Sequence, residues 1–224
     1  MKKTLFSVFC GLLISLLTGC APFSAIGTAE VDKGFSLQIQ SGVTVPPSQE
    51  TYWFYDYLSD CPLCDANSIF LAQIGSRYGF KPLSLGLFVS GDGIQAEIYR
   101  QLHDGGKVDY GIGGRIGLPL LIEWYSHQIF FRYDLRLKKK LKLLLNPTLY
   151  YHTGESPNGA NQGSLLFLTP SIGLALESKH VTLFPNVSLI MGKGNLNRRS
   201  EPERKFNDIF FSFSLGLSFH KAKN

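Results

Sequence analysis

Charge is scarce in this chain of 224 residues: Asp, Glu, Lys and Arg make up 17% of it, against about 25% in an ordinary soluble domain. Together with 44% apolar residues, that scarcity excludes a disordered chain. Cysteine is scarce too, at four, which excludes a disulfide scaffold. No Gly-X-Y repeat exists, so collagen is excluded. No Lys/Arg run alternates with stacking aromatics, and the formal charge of +5 is modest, so nothing argues for nucleic acid. Leu5–Leu17 is a mostly apolar run, but it is too short and too early to be a spanning helix. A period near 3.6 is almost missing from the rest. What is plentiful is Gly (23), Phe (17) and Tyr (10).

The amino terminus reads as an export signal. Met1-Lys2-Lys3 is a short basic region, and the apolar run follows it. Leu17-Thr18-Gly19-Cys20 then resembles the bacterial lipobox, in which cleavage before the cysteine leaves a diacylated thioether. More than one acyl chain gives stable anchoring. The resemblance implies lipidation of Cys20, and Ala21 rather than Asp after it implies the outer membrane. Ordinary cleavage after Ala21 is the alternative, and it also exports the chain. Loss of Lys2 and Lys3 leaves a charge of about +3. The expected organisation is a signal over 1–19, a lipidated tether over 20–33, a barrel over 34–220 and a tail over 221–224. Cys10 falls in the signal. Cys61 and Cys64, as Cys-Pro-Leu-Cys, read as a small disulfide loop in an oxidising exterior. A redox role would want a thioredoxin-like helix start, which is not visible. Zinc would need two further ligands.

The body of the chain alternates with period 2. In Gln128–Leu137, Ile129, Phe131, Tyr133, Leu135 and Leu137 share one face, and Gln128, Phe130, Arg132, Asp134 and Arg136 share the other. Ten such segments run at about 34–45, 68–80, 83–90, 94–102, 108–119, 127–137, 141–152, 164–177, 180–191 and 208–220. Eight or twelve strands would also fit. Pro147, Pro170 and Pro185 fall inside strands, which suggests bulges or ends near a rim. With the N-terminus in the periplasm, the odd-numbered connections lie outside and are mostly the long ones, expected at roughly twenty, three, seven, eleven and sixteen residues. Short inner turns, longer outer loops and an even strand count are the signature of a transmembrane β-barrel.

Three features turn the apolar face outward. Twelve residues tilted in a barrel wall span about 28 Å, close to a bacterial membrane's apolar band. The polar face is mostly Gly, Ser, Thr, Gln and Asn, which suits a narrow lumen. Tyr78, Phe80, Tyr110, Trp124, Tyr125, Tyr150 and Tyr151 lie near strand ends, like an interfacial girdle. As a pattern, residues 34–220 resemble the outer-membrane β-barrel superfamily. Phe213–Phe219 resembles its C-terminal assembly signal, which implies the outer-membrane insertion machinery as a partner, beside outer-membrane lipids and lipopolysaccharide. The implied fold is an all-β, up-and-down antiparallel barrel of about ten strands.

Glu97, Arg115, Arg132, Asp134 and Arg136, with Lys142 and Glu177, fall on the lumen face. Mixed charge in a tight interior is expected to form a salt-bridged plug rather than a conduit. Tyr52, Trp53, Phe54, Tyr55, Asp56 and Tyr57 precede the cysteine pair and read as interfacial anchoring, or more sharply as a contact patch. Lys193, Arg198, Arg199, Arg204 and Lys205, against Glu201 and Glu203, are expected in the last outer loop. There they would be solvated or would meet lipopolysaccharide phosphates. A barrel enzyme acting on lipid A would draw on Ser126, His127 or His152, with Glu155 and Ser156 close by. Ser126 and His127 are adjacent, so they point to opposite faces of a strand. No catalytic residue, metal or cofactor is assigned. The expected role is non-enzymatic: structure, surface contact or limited porin-like passage of small solutes. A soluble lipid-tethered barrel around an apolar ligand is the other alternative.

Overall fold

The computed structural model describes residues 27–45, 69–90, 93–118, 123–155, 161–198 and 204–221. Twelve antiparallel segments form one sheet: β1 (Gly34–Val45), β2 (Ile69–Phe80), β3 (Leu83–Ser90), β4 (Gly93–Asp104), β5 (Val108–Leu118), β6 (Glu123–Lys138), β7 (Leu141–Leu145), β8 (Thr148–Glu155), β9 (Asn161–Thr169), β10 (Ser171–Glu177), β11 (Val181–Arg198) and β12 (Arg204–His220). β7 and β8 both pair with β6, and β9 and β10 both pair with β11, so each couple is one interrupted wall strand. β1 pairs with β12, which closes a ten-stranded barrel.

The register fixes the barrel's dimensions. Ser36 faces His220 across the closing pair. Going round the other way, the partners of Ser36 run Arg77, Gly86, Glu97, Arg115, Gln128, Tyr150, Phe167, Gly192 and Asp208. Asp208 and His220 lie twelve positions apart on β12. For ten strands that stagger gives a tilt of about 42° and a wall radius of about 10 Å. Such a ring is narrow: inward side chains and a short chain segment are enough to occupy it.

The two faces are inverted relative to a water-soluble barrel. On β4, Ile94, Ala96, Ile98 and Leu102 are exposed, whereas Gln95, Glu97, Tyr99 and Gln101 are buried. On β12, Ile209, Phe211, Phe213, Leu215 and Phe219 are exposed, whereas Ser212, Gly216 and Ser218 are buried. Apolar residues outside and polar residues inside suit a bilayer, where the closed ladder satisfies the backbone. On β11 the outward apolar row runs from Val181 to Met191, about 25 Å at this tilt, which matches an apolar band of about 25 Å. The chain is therefore a transmembrane β-barrel.

Three details differ from the sequence reading. Pro147 and Pro170 lie halfway along the wall rather than near a rim. They interrupt the interrupted strands there because proline lacks an N–H, yet their carbonyls still accept from Phe131 N–H (3.0 Å) and Leu189 N–H (3.1 Å). Pro185 lies inside β11. The expected outer connections of seven, eleven and sixteen residues shrink to 119–122, 156–160 and 199–203, because the ladder continues beyond the apolar band. Lys193 and Lys205 are consequently exposed positions of β11 and β12, not loop residues. The third detail is Tyr150, which is buried in the lumen and does not belong to a girdle.

Candidate functional site

The lumen is crossed by a tier of charge centred on Glu97. Arg77 Nε and Nη2 donate to its two oxygens at 2.6 and 2.9 Å. Arg115 Nε donates at 2.6 Å and Arg132 Nη2 at 3.3 Å. These residues stand on β2, β4, β5 and β6. Arg77 and Glu97 are two strands apart, separated in the register by Gly86 of β3. Gly86 has no side chain, so Arg77 reaches across it: a Cβ there would meet Phe88, Arg77 Cγ at 3.2 Å and Glu97 Cβ at 3.3 Å. Gly86→Val is expected to destabilise the barrel by about 1–3 kcal/mol through overpacking. A shift of the urea midpoint in detergent micelles would measure this, and an unchanged midpoint would refute the crossing role of Gly86.

Aromatic rings hold the guanidinium groups from the other side. Arg115 lies 4.1 Å from the Phe88 ring centre. Arg132 lies 4.6 Å from Tyr99 and 4.5 Å from Phe130, whose rings stack at 6.1 Å. Buried away from water, such cation–π contacts are worth about 2 kcal/mol. Arg115 also donates to Gln73 at 3.2 Å, and Gln73 donates to Gln95 at 3.1 Å.

A second tier lies nearer the end that carries the short turns. Lys142 Nζ is 2.7 Å from Glu30, 3.2 Å from Glu177 and 3.8 Å from Asp134. Arg136 reaches Glu30 at 3.4 Å. The first tier has three cations to one anion, and the second has three anions to two cations, so their fields partly offset each other. Glu30 is not a wall residue. Residues 27–33 precede β1 and lie inside the barrel mouth, where Ala29 and Val31 are buried. The Ala29 N–H donates to Asp134 at 2.8 Å, the Tyr99 hydroxyl donates to the Ala29 carbonyl at 2.9 Å, and the Val31 N–H donates to Gln101 at 3.0 Å.

The structure thus brings Glu97, Arg115 and Arg132 into one tier, and Asp134 and Arg136 into the other. Arg77 and Glu30 are partners that sequence reasoning missed. Arg77 shares the parity of Gln73 on β2, a usable signal; Glu30 lies outside any strand and carries none. Cys20, Cys61, Cys64, the Tyr52–Tyr57 run, Ser156, Arg199, Glu201 and Glu203 lie outside the described residues. His127 is exposed on the outer face. Ser126 and His152 are register partners, both buried and facing inward, a juxtaposition the sequence did not reveal. A nucleophile needs its base in hydrogen-bond reach, but Ser126 Oγ has no hydrogen-bond partner among the described residues. No group of three or more potential metal ligands occurs among them either.

No protein-family model matches the chain, and no curated protein matches it by sequence. Several solved structures are similar in outline. Neisserial surface protein A has 13% identity and a TM-score of 0.39, over 84% of this chain and 97% of that one. The outer membrane protease OmpT from Escherichia coli has 7% identity and a TM-score of 0.41, over 86% and 99%. The KdgM porin, solved with disordered oligogalacturonate, has 9% identity and a TM-score of 0.40, over 83% and 98%. The barrel assignment rests on the strand register and the inverted faces of this chain, and these likenesses identify no family for it.

Proposed function

We propose that this chain is an outer-membrane β-barrel lipoprotein with a closed lumen and a non-enzymatic envelope role: a fixed element of the membrane that offers its surface for contact rather than a route for solutes. The observation that carries this reading is the Glu97 tier. Three arginines converge on one carboxylate inside this narrow ring, and residues 27–33 lie in the mouth beneath. An open porin needs a wider ring and a water-filled core. The turn end faces the periplasm in this reading, since the N-terminal segment and the end of β12 meet there. Six residues, 21–26, separate Gly27 from Cys20, which makes seven Cα–Cα steps. They reach at most about 25 Å, which suffices for an acylated Cys20 to sit in the inner leaflet. Lys193 and Lys205 continue the outward rows beyond the apolar residues, at the height where lipid or lipopolysaccharide phosphates would be met. The strand Phe213–Phe219 would be the segment that the insertion machinery recognises.

Planar-bilayer recording of the refolded full chain tests the closed lumen. The expected trace has no stepwise conductance above that of the bare bilayer. Steady ion-selective steps would overturn the reading and restore a porin-like role.

A further inference from the structure

The segment 27–33 is held as a ligand is held, and not as a strand. It belongs to none of the twelve sheet segments. Wall side chains bind its backbone: Asp134 and Gln101 accept from two amides, and the Tyr99 hydroxyl donates to the carbonyl between them. Two basic groups, Lys142 and Arg136, take the Glu30 carboxylate. The neighbours of that carboxylate are small or β-branched, and Val31 packs with Tyr99 and Phe130. The chain leaves the site at Gly34, whose φ of +99° allows it to turn from the lumen into β1. Beside the segment lies a polar cavity of about 360 Å³, lined in part by Asp32, Gln38, Arg77, Arg132, Thr182 and His220. Above it, between Gln38, Gln40, Gln73, Phe88 and Phe184, the space narrows to about 10 Å³, roughly one water. Withdrawal of the segment would therefore open a blind cup rather than a channel.

We propose that this cup is a peptide-binding site, that residues 27–33 occupy it in cis, and that its ligand class is an extended peptide with a small residue, an acidic residue and a β-branched apolar residue in succession. The recognised features are backbone groups, the Glu30 carboxylate and the Val31 side chain, so a segment of the same pattern from another molecule meets the same groups. Such a segment binds when the cis segment yields the site. The proposal rests on the closed-lumen reading, because an open channel would wash through the cup.

The test uses the full chain in detergent micelles. In the unsubstituted protein, the Ala29 and Val31 amides should exchange hydrogen at least a hundredfold more slowly than in a free peptide. Glu30→Lys sets a cation against Lys142 and Arg136 and should abolish that protection. A fluorescein-labelled peptide of residues 27–33 should then bind the Glu30→Lys protein at least tenfold more tightly than it binds the unsubstituted protein, and the same peptide with Lys in place of Glu should not bind. Free exchange in the unsubstituted protein overturns the proposal. So does retained protection in Glu30→Lys, or a released segment with no gain in peptide binding. If Glu30→Lys does not fold, Glu30→Gln replaces it, with partial loss of protection and a smaller gain expected; full protection or no gain overturns the proposal equally. Conductance by the unsubstituted chain would sink the closed lumen, whereas missing peptide binding in a silent barrel would sink the cup alone.

Discussion

Glu97→Gln is expected to destabilise the barrel by about 3–5 kcal/mol, the cost of leaving buried charge unpaired. The Glu97 side chain is fully buried, and Arg115 and Arg132 beside it are 1% exposed. Glutamine conserves the volume but removes the charge. Its carbonyl accepts from one guanidinium, while its amide presents donors to the others. Three cations that shared one carboxylate are then left with cation–π contacts and a few amide oxygens. Lys81 and Asp104 provide the contrast. They form a 3.1 Å pair at a turn, with side chains 40% and 56% exposed. Water already solvates both, so Asp104→Asn should change stability by less than about 1 kcal/mol. Adding Arg115→Gln to Glu97→Gln should recover part of the loss, with a coupling of about 1–3 kcal/mol, because it removes one of the stranded cations. Urea unfolding in micelles measures the parent, Glu97→Gln, Arg115→Gln, their double variant and Asp104→Asn, and the first four close the cycle that gives the coupling. A Glu97→Gln midpoint as close to that of the parent as the Asp104→Asn midpoint is would show that the tier does not hold the lumen together.

The faces of this barrel were legible because period 2 does not depend on register. The split of β6 into Gln128, Phe130, Arg132, Asp134 and Arg136 inside and Ile129, Phe131, Tyr133, Leu135 and Leu137 outside follows from parity, and the structure has it so. The start of β1 at Gly34 and both ends of β3 also follow, because turn residues bound them. The outer reach of β11 and β12 did not follow. Past Met191 the outward row continues as Lys193 and Asn195, and the contrast between the faces vanishes once both meet water. Tyr150 was misread because nearness to a strand end was weighed above its parity with Thr148 and His152. The Glu97 tier needed more than parity: Arg77 meets Glu97 through a register that spans three strands and a glycine between them. Glu30 had no pattern to betray it, since it acts from an irregular segment through backbone and ionic contacts.

Ile129→Arg distinguishes the membrane barrel from a soluble one with the same strands. Ile129 is 60% exposed and lies well inside the outward row of β6, between His127 and Phe131. Facing water, an exposed isoleucine is replaced by arginine at a cost usually within about 0.5 kcal/mol. Facing lipid near the bilayer midplane, the guanidinium costs about 2–4 kcal/mol, because no water or counter-charge accompanies it there. His127 and Tyr125 lie further along the same row towards the outer end, so arginine at 127 should cost only about 0–1 kcal/mol, as expected near an interface. The measurement is reversible folding into lipid vesicles across a urea series, comparing Ile129→Arg with His127→Arg. A steep cost at 129 that fades at 127 is the profile of a wall crossing lipid. A flat profile, with both variants folding as the parent does, would mean that the apolar face is not turned to lipid, and the barrel would then need another partner to cover it. The inward neighbours set the scale from the other side: Gln128 and Phe130 are buried in the lumen, so arginine there is limited by space and by the Arg115 and Arg132 charges, whatever surrounds the barrel. The outward row therefore reports the surrounding medium, and the inward row reports the plug.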